Sequence, residues 1–166
     1  MIGIQIEYNK IETSDPQLAM QFIDKYHDDD SVCSLLLTAI PRGWNAVYEA
    51  LTQITFAVIK ICDSQLPFEI IKTNHINLIN VKSRIDRVME YIKKCGATSA
   101  YYRNIYGNIY SEIHHIKLDS LIIEGDIAYP NILFRYLQRV TCADLQIHNT
   151  RINITSADTF IKLILI

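Results

Sequence analysis

The stretch LDSLIIEGDI, residues 118–127, sets apolar side chains at Leu118, Leu121 and Ile123 and turns polar before Ile127. Apolar, two free positions, apolar, one free, apolar, then a further apolar residue is a template that the chain uses again, and a repeat constrains a fold more than any single segment does. Complete copies run through Met1, Ile4, Ile6 and Ile11, through Phe56, Ile59, Ile61 and Leu66, and through Cys142, Leu145, Ile147 and Ile152. Looser copies run through Val32, Leu35 and Leu37, through Ile76, Ile79 and Val81, and through Ala97, Ala100 and Tyr102. A chain this rich in aliphatic residues produces the three-anchor pattern about four times by chance. What chance does not readily supply is the near-regular spacing, with units starting at 1, 32, 56, 76, 97, 118 and 142.

Each gap has room for one helix or turn. SDPQLAMQFIDKY offers Ser14 as an N-cap and Pro16 in the first turn, with Leu18, Phe22 and Ile23 at helical spacing. GWNAVYEALTQI puts Trp44, Val47, Tyr48 and Leu51 on one stripe, and SRIDRVMEYIKKCG aligns Ile85, Val88 and Ile92 before a C-cap at Gly96. YPNILFRYLQRV keeps Ile132, Leu133 and Leu137 together, and SADTFIKLILI is capped by Ser156. PFEIIKTNH and YGNIYSEIHHI fit helix, 3₁₀ turn or extended connection equally. Strand alternating with helix predicts an α/β arrangement with parallel strands.

The strand half reads LxxLxLxx(N/S/T/D)xL, with Asn9, Ser64 and Thr150 at the polar position of the complete copies and Asp126 near it in the opening stretch. This resembles the leucine-rich repeat signature, in the irregular ribonuclease-inhibitor or F-box-receptor style. The resemblance implies one α/β domain over residues 1–166, a leucine-rich-repeat-like solenoid of about seven strand-helix units with one curved parallel sheet. In that family the polar residue satisfies backbone groups where the chain leaves the strand. Departures are plain: Ile replaces most of the Leu, Ile127 arrives one residue early, and no LPxLP run or preceding F-box is present. Neither end carries an obvious polar cap, so either a partner or a second copy covers an uncapped end, which is the favoured expectation, or the chain is a shortened member of the class.

A solenoid of this kind binds through the free positions of its strands, which line up between repeats on the concave face. One column is then Gln5, Leu36, Lys60, Asn80, Tyr101, Ile122 and Gln146, and the next is Glu7, Thr38, Cys62, Lys82, Arg103, Glu124 and His148. The expected partner-binding residues are Lys60, Asn80, Lys82, Tyr101, Arg103, Ile122, Glu124, Gln146 and His148. Lys60, Lys82, Tyr101 and Arg103 form an aromatic and cationic group of the sort that anchors protein interfaces, suited to a partner with an acidic or polar segment.

Chemistry is harder to find. His27-Asp28-Asp29-Asp30 cannot aim four consecutive residues at one ion, and His114-His115 lacks a ligand at the i+4 spacing of a zinc helix, so a solvated connection and a surface role are expected. With no GxSxG, Walker or GxGxxG motif and only 5 glycines, no enzyme, cofactor or metal is expected. The four cysteines, at 33, 62, 95 and 142, form no CxxC pair and read as reduced, buried thiols. A net charge of −2 gives no general attraction to nucleic acid, and the longest apolar runs, SLLLTAI and FIKLILI, are too short for a membrane span.

The expectation is therefore an intracellular, cytoplasmic adaptor, effector or substrate receptor that binds a protein, acting in a host cytoplasm if it is an effector. Two other readings stay open: a structural or oligomeric subunit that uses exposed solenoid ends, and a compact α/β enzyme whose repeats are accidental. A doubly wound sheet would reverse its strand order, whereas a solenoid keeps sequential order. A mostly helical domain is a further alternative, because a short apolar run does not separate strand from buried helix.

Overall fold

A computed structural model describes residues 3–7, 11–13, 15–26, 34–38, 44–106, 115–128, 135 and 137–148. In chain order the elements are β1 (Gly3–Glu7), β2 (Ile11–Thr13), α1 (Pro16–Tyr26), β3 (Ser34–Thr38), α2 (Asn45–Leu51), β4 (Thr55–Cys62), β5 (Lys72–Ile79), α3 (Ile85–Cys95), β6 (Ser99–Ile105), β7 (Ile116–Ile127) and β8 (Val140–His148). They form one sheet in the order β2-β1-β3-β4-β5-β6-β7-β8. From β3 to β8 the six strands are parallel and each lies beside its neighbour in sequence. No strand order reverses along this run, so the switch-point crevice of a doubly wound sheet does not arise in it.

One face of the sheet is the core. Leu35 and Leu37, Phe56, Ile59 and Ile61, Ile76 and Leu78, Ala100 and Tyr102, then Leu118, Leu121 and Ile123 are all buried on it. Alternation along each strand sends the intervening side chains to the opposite face, which gives β4 and β5 their in-out pattern. The helices share the core through Ala19 and Ile23 of α1, Val47 and Leu51 of α2, and Val88 and Ile92 of α3.

Helices α1, α2 and α3 form where the spacing predicts them. In α1 the Asp15 carboxylate accepts from the Gln17 N–H at 2.8 Å and Pro16 takes the first position. Ser14, the expected cap, lies outside the described residues, and Leu18, expected on the apolar stripe, is 51% exposed. Trp44 is buried at the entry to α2, with Tyr48 half-buried beside Val47 and Leu51. Gly96, at φ 79°, closes α3 in the left-handed conformation. Residues 132, 133 and 156–166 fall outside the described residues.

The β4–β5 gap holds no helix. Helix α3 and the turn before it tie it down instead: the Leu66 N–H donates to Ser83 Oγ at 3.1 Å, the Ile71 N–H to Tyr91 Oη at 3.3 Å, and Arg87 Nη2 to the Pro67 carbonyl at 3.3 Å. No helix among the described residues is long and apolar enough to cross a membrane.

Two expectations about the repeats need correcting. The first unit is not parallel to the rest, because β1 pairs antiparallel with both β2 and β3. The unit assigned to Ile76, Ile79 and Val81 is out of phase by three residues. Its register partner for Ile59 and Ala100 is Ile76, so the inward anchors are Thr73, Ile76 and Leu78. Thr73 occupies an apolar slot at 2% exposure because its hydroxyl donates within the fold, to the His75 carbonyl at 2.8 Å.

The chain leaves successive strands through residues in one left-handed column. Asp63 (φ 50°), Asn80 (φ 53°) and Asn104 (φ 59°) follow or end β4, β5 and β6. Asn80 Nδ2 donates to Asp63 Oδ1 at 2.8 Å, Asn104 Nδ2 to Asn80 Oδ1 at 2.6 Å, and the Asp126 N–H to Asn104 Oδ1 at 2.9 Å. The backbone runs alongside, with the Asp63 N–H on the Ile79 carbonyl and the Asn80 N–H on the Arg103 carbonyl. Asn and Asp tolerate this conformation better than other residues with a Cβ. At the β7 level the position is Gly125 (φ 82°), where a Cβ would stand 2.1 Å from Asn104 Oδ1. Here the register between β6 and β7 slips, so that Ile105 faces Ile127, which accounts for the early Ile127.

Asn104→Ala therefore loses two hydrogen bonds and places a poor residue at positive φ, an expected cost of about 3 kcal/mol in denaturant unfolding. Asn104→Gly relieves the backbone but not the bonds and falls between that variant and wild type. Equal stability of all three proteins would remove the column from the account.

Burial also predicts a pH limit. Cys95 is 2% exposed and its thiol is pushed up to about 11 from its ordinary 9, chiefly by burial. Between those values the unfolded chain releases this proton and the folded chain holds it. Stability fully present below pH 9 is lost as pH rises toward 11, by about 3 kcal/mol from this group. Urea melts across that range should show the fall, and Cys95→Ala, less stable at pH 7, should fall less steeply.

Candidate functional site

The face opposite the core carries three cross-strand rows fixed by the register. The middle row is Leu36, Lys60, Asn77, Tyr101, Ile122 and Gln146. Toward the C-terminal ends of the strands lies the row Cys62, Ile79, Arg103, Glu124 and His148. Toward the N-terminal ends lie Ser34, Val58, His75, Ser99, Ser120 and Asp144. Neighbouring strands in a sheet are about 4.8 Å apart, so each row is a continuous line of adjacent side chains.

Of the residues expected on this face, Lys60, Tyr101, Arg103, Ile122, Glu124, Gln146 and His148 stand in these rows as anticipated. Asn80 and Lys82 do not. The three-residue phase error had put Asn80 in the column that Asn77 occupies and Lys82 in the place of Ile79. Asn80 belongs to the turn column, while Lys82 is exposed beyond the end of β5, its N–H donating to the Ser64 carbonyl. Ser64 is likewise displaced, since Asp63 rather than Ser64 takes the turn position; Asn9 and Thr150 lie outside the described residues. Gln5 faces Leu36 and Glu7 faces Ser34, in an antiparallel pair.

The polar groups of the face are largely bonded to one another. Tyr101 Oη donates to Glu124 Oε2 at 2.5 Å. Burial raises the pKa of this phenol, helped by the bond to Glu124 and its charge, against an opposing pull from Arg103. Gln146 Nε2 donates to Asp144 Oδ2 at 2.9 Å, and His148 Nε2 lies 3.0 Å from Gln146 Oε1. His75 bridges two strands, with Nδ1 against Ser99 Oγ and Nε2 2.7 Å from Asn77 Oδ1. Lys60 and Arg103 are exposed, and neither makes an ion pair among the described residues.

The cysteines divide by place. Cys95 is in the core, but Cys62 is half-buried on the open face, and Cys142 is half-buried on the core side of the last strand, so the expectation of uniformly buried thiols does not hold. Burial raises the pKa of both half-buried thiols, with Lys60 opposing the shift at Cys62. Cys33 lies outside the described residues.

Residues 27–30 and His114 also lie outside the described residues. His115 is exposed, with Nδ1 against the Arg139 carbonyl and Nε2 2.9 Å from Thr141 Oγ1. Among the described residues no three His, Cys, Asp or Glu side chains converge as a metal site. Exposed apolar groups are scattered, the largest being Phe68 at 84%, with the Arg87 guanidinium 4.8 Å from its ring centroid.

Sequence reasoning missed Asn77, His75 and Ser99. Given the correct phase, Asn77 follows at once from its place between Ile76 and Leu78. His75 and Ser99 are 24 residues apart and become neighbours only through the β5–β6 register. Comparison of the chain with protein-family models, with curated proteins and with solved structures returned no match.

Proposed function

We propose that the protein is a binding module of the stacked-repeat class, a leucine-rich-repeat-like solenoid that docks a protein partner on the open face of its sheet. The observation that carries this reading is Lys60 and Arg103, two exposed cations on a polar face whose carboxylates are engaged locally. Glu124 accepts from Tyr101 and Asp144 from Gln146. A carboxylate supplied from outside would therefore meet cations that make no ion pair among the described residues, beside the Tyr101 ring and the Asn77 amide. Arg and Tyr are the side chains most often found as interface anchors. The partner that fits is a protein with an acidic segment, held in an adaptor, effector or substrate-receptor role.

The sheet makes the reading specific to position. Lys60 and Arg103 belong to the face and Lys82 does not, although all three are exposed lysine or arginine residues. With a fluorescein-labelled Glu-rich peptide as probe, Lys60→Glu combined with Arg103→Glu should weaken binding at least tenfold at low salt. Lys82→Glu should change it less than threefold. Equal losses from both substitutions would reduce the effect to net charge and remove the face as a docking site.

A further inference from the structure

We propose that Ser99 is a base-activated nucleophile, with His75 as its proton acceptor and Asn77 as the residue that positions His75, able to take an acyl group from an activated ester or thioester. The three side chains share the open face, and the contacts fix their roles. Asn77 Oδ1 can only accept, so the 2.7 Å contact requires the proton of neutral His75 to sit on Nε2. His75 Nδ1 is then a free lone pair, and the Ser99 hydroxyl, in direct contact with it, must donate to it. This is the order nucleophile, base, orienting acceptor that acyl transfer needs.

The frame is stiff where it matters. Ser99 and His75 are direct register partners on β6 and β5, and Asn77 lies two residues along β5 on the same face. Thr73 holds the His75 carbonyl through its buried hydroxyl. At the ends of the same strands, the Thr98 N–H donates to the Asn74 carbonyl at 2.9 Å. Both His75 and Ser99 are half-buried on the open face and not sealed in the core. Ser120 is the register partner of Ser99 on the next strand and carries the same hydroxyl on the same face, away from β5.

The step balances without any further reactant. Ser99 Oγ attacks the acyl carbon while its proton passes to His75 Nδ1. The bond from that carbon to the phenolate or thiolate breaks, the leaving group keeps the electron pair, and His75 returns the proton to it. Attack by water, with the proton again passing through His75, releases the acid and restores the serine.

The full chain should be treated with a fluorophosphonate probe, which forms an Oγ–P bond and expels fluoride, and the labelled peptide mapped by mass spectrometry; p-nitrophenyl acetate gives the rate of acyl transfer. Label is expected on Ser99 and not on Ser120, with Ser120→Ala unchanged in rate. His75→Gln, which keeps hydrogen-bonding capacity but not the base, should label at least about 100-fold more slowly at an unchanged melting temperature. Asn77→Ala should slow labelling about tenfold, while Asn77→Asp, which keeps the acceptor, should remain within about threefold of wild type. No label on Ser99, or equal rates in wild type and His75→Gln, would overturn the proposal.

Discussion

A parallel stack can keep its strands in register only if the chain leaves each strand at the same level and in the same direction, and here that constraint falls on the column Asp63, Asn80 and Asn104. Each holds positive φ, and each side-chain amide or carboxylate bonds the residue of the next level. Side-chain bonds of this kind link one turn to the next and, at Asp126, satisfy a backbone N–H where the strand ends. Gly125 takes the next level because the Asn104 amide already fills the space of a Cβ. The register that follows from this column aligns Leu35, Ile59, Ile76, Ala100, Leu121 and Leu145 on the core side. Everything proposed for the opposite face depends on the same alignment.

The parallel, sequential arrangement was legible because the strands repeat an inward triplet whose last two members keep the two-residue spacing of a pleated strand. Even the poorest copy, Ala97, Ala100 and Tyr102, is buried where the template put it. What misled was chemistry within one strand. TNHINLINV offers two overlapping triplets, and an apolar criterion prefers Ile76, Ile79 and Val81 because it rejects Thr73, whose hydroxyl is satisfied internally. Val81 is also buried, but after the strand has ended. The antiparallel entry of β1 was beyond the pattern, since an inward triplet reads the same whichever way the strand runs.

The same error decided which site residues could be foreseen. Residues on strands with an unambiguous triplet, such as Tyr101, Arg103, Ile122 and Glu124, fell on the predicted face. On β5 the error exchanged Asn77 for Asn80 and Ile79 for Lys82, moving a cation onto the face that the fold places elsewhere. His75 and Ser99 illustrate a deeper limit: each is an ordinary outward residue, and only pairing between strands turns them into one hydrogen-bonded group. The face thus combines two properties that a strand alone cannot show, cations at Lys60 and Arg103 that form no ion pair among the described residues and a serine held against an imidazole.

The register of β5 is the central claim, and backbone NOEs in an isotope-labelled sample test it directly. Cross-strand contacts should join Asn77 to Tyr101 and Tyr101 to Ile122, with Asn80 linked instead to the region of Arg103 and Asn104. Cross-strand contacts pairing Asn80 with Tyr101 would contradict it, and with it the composition of the open face.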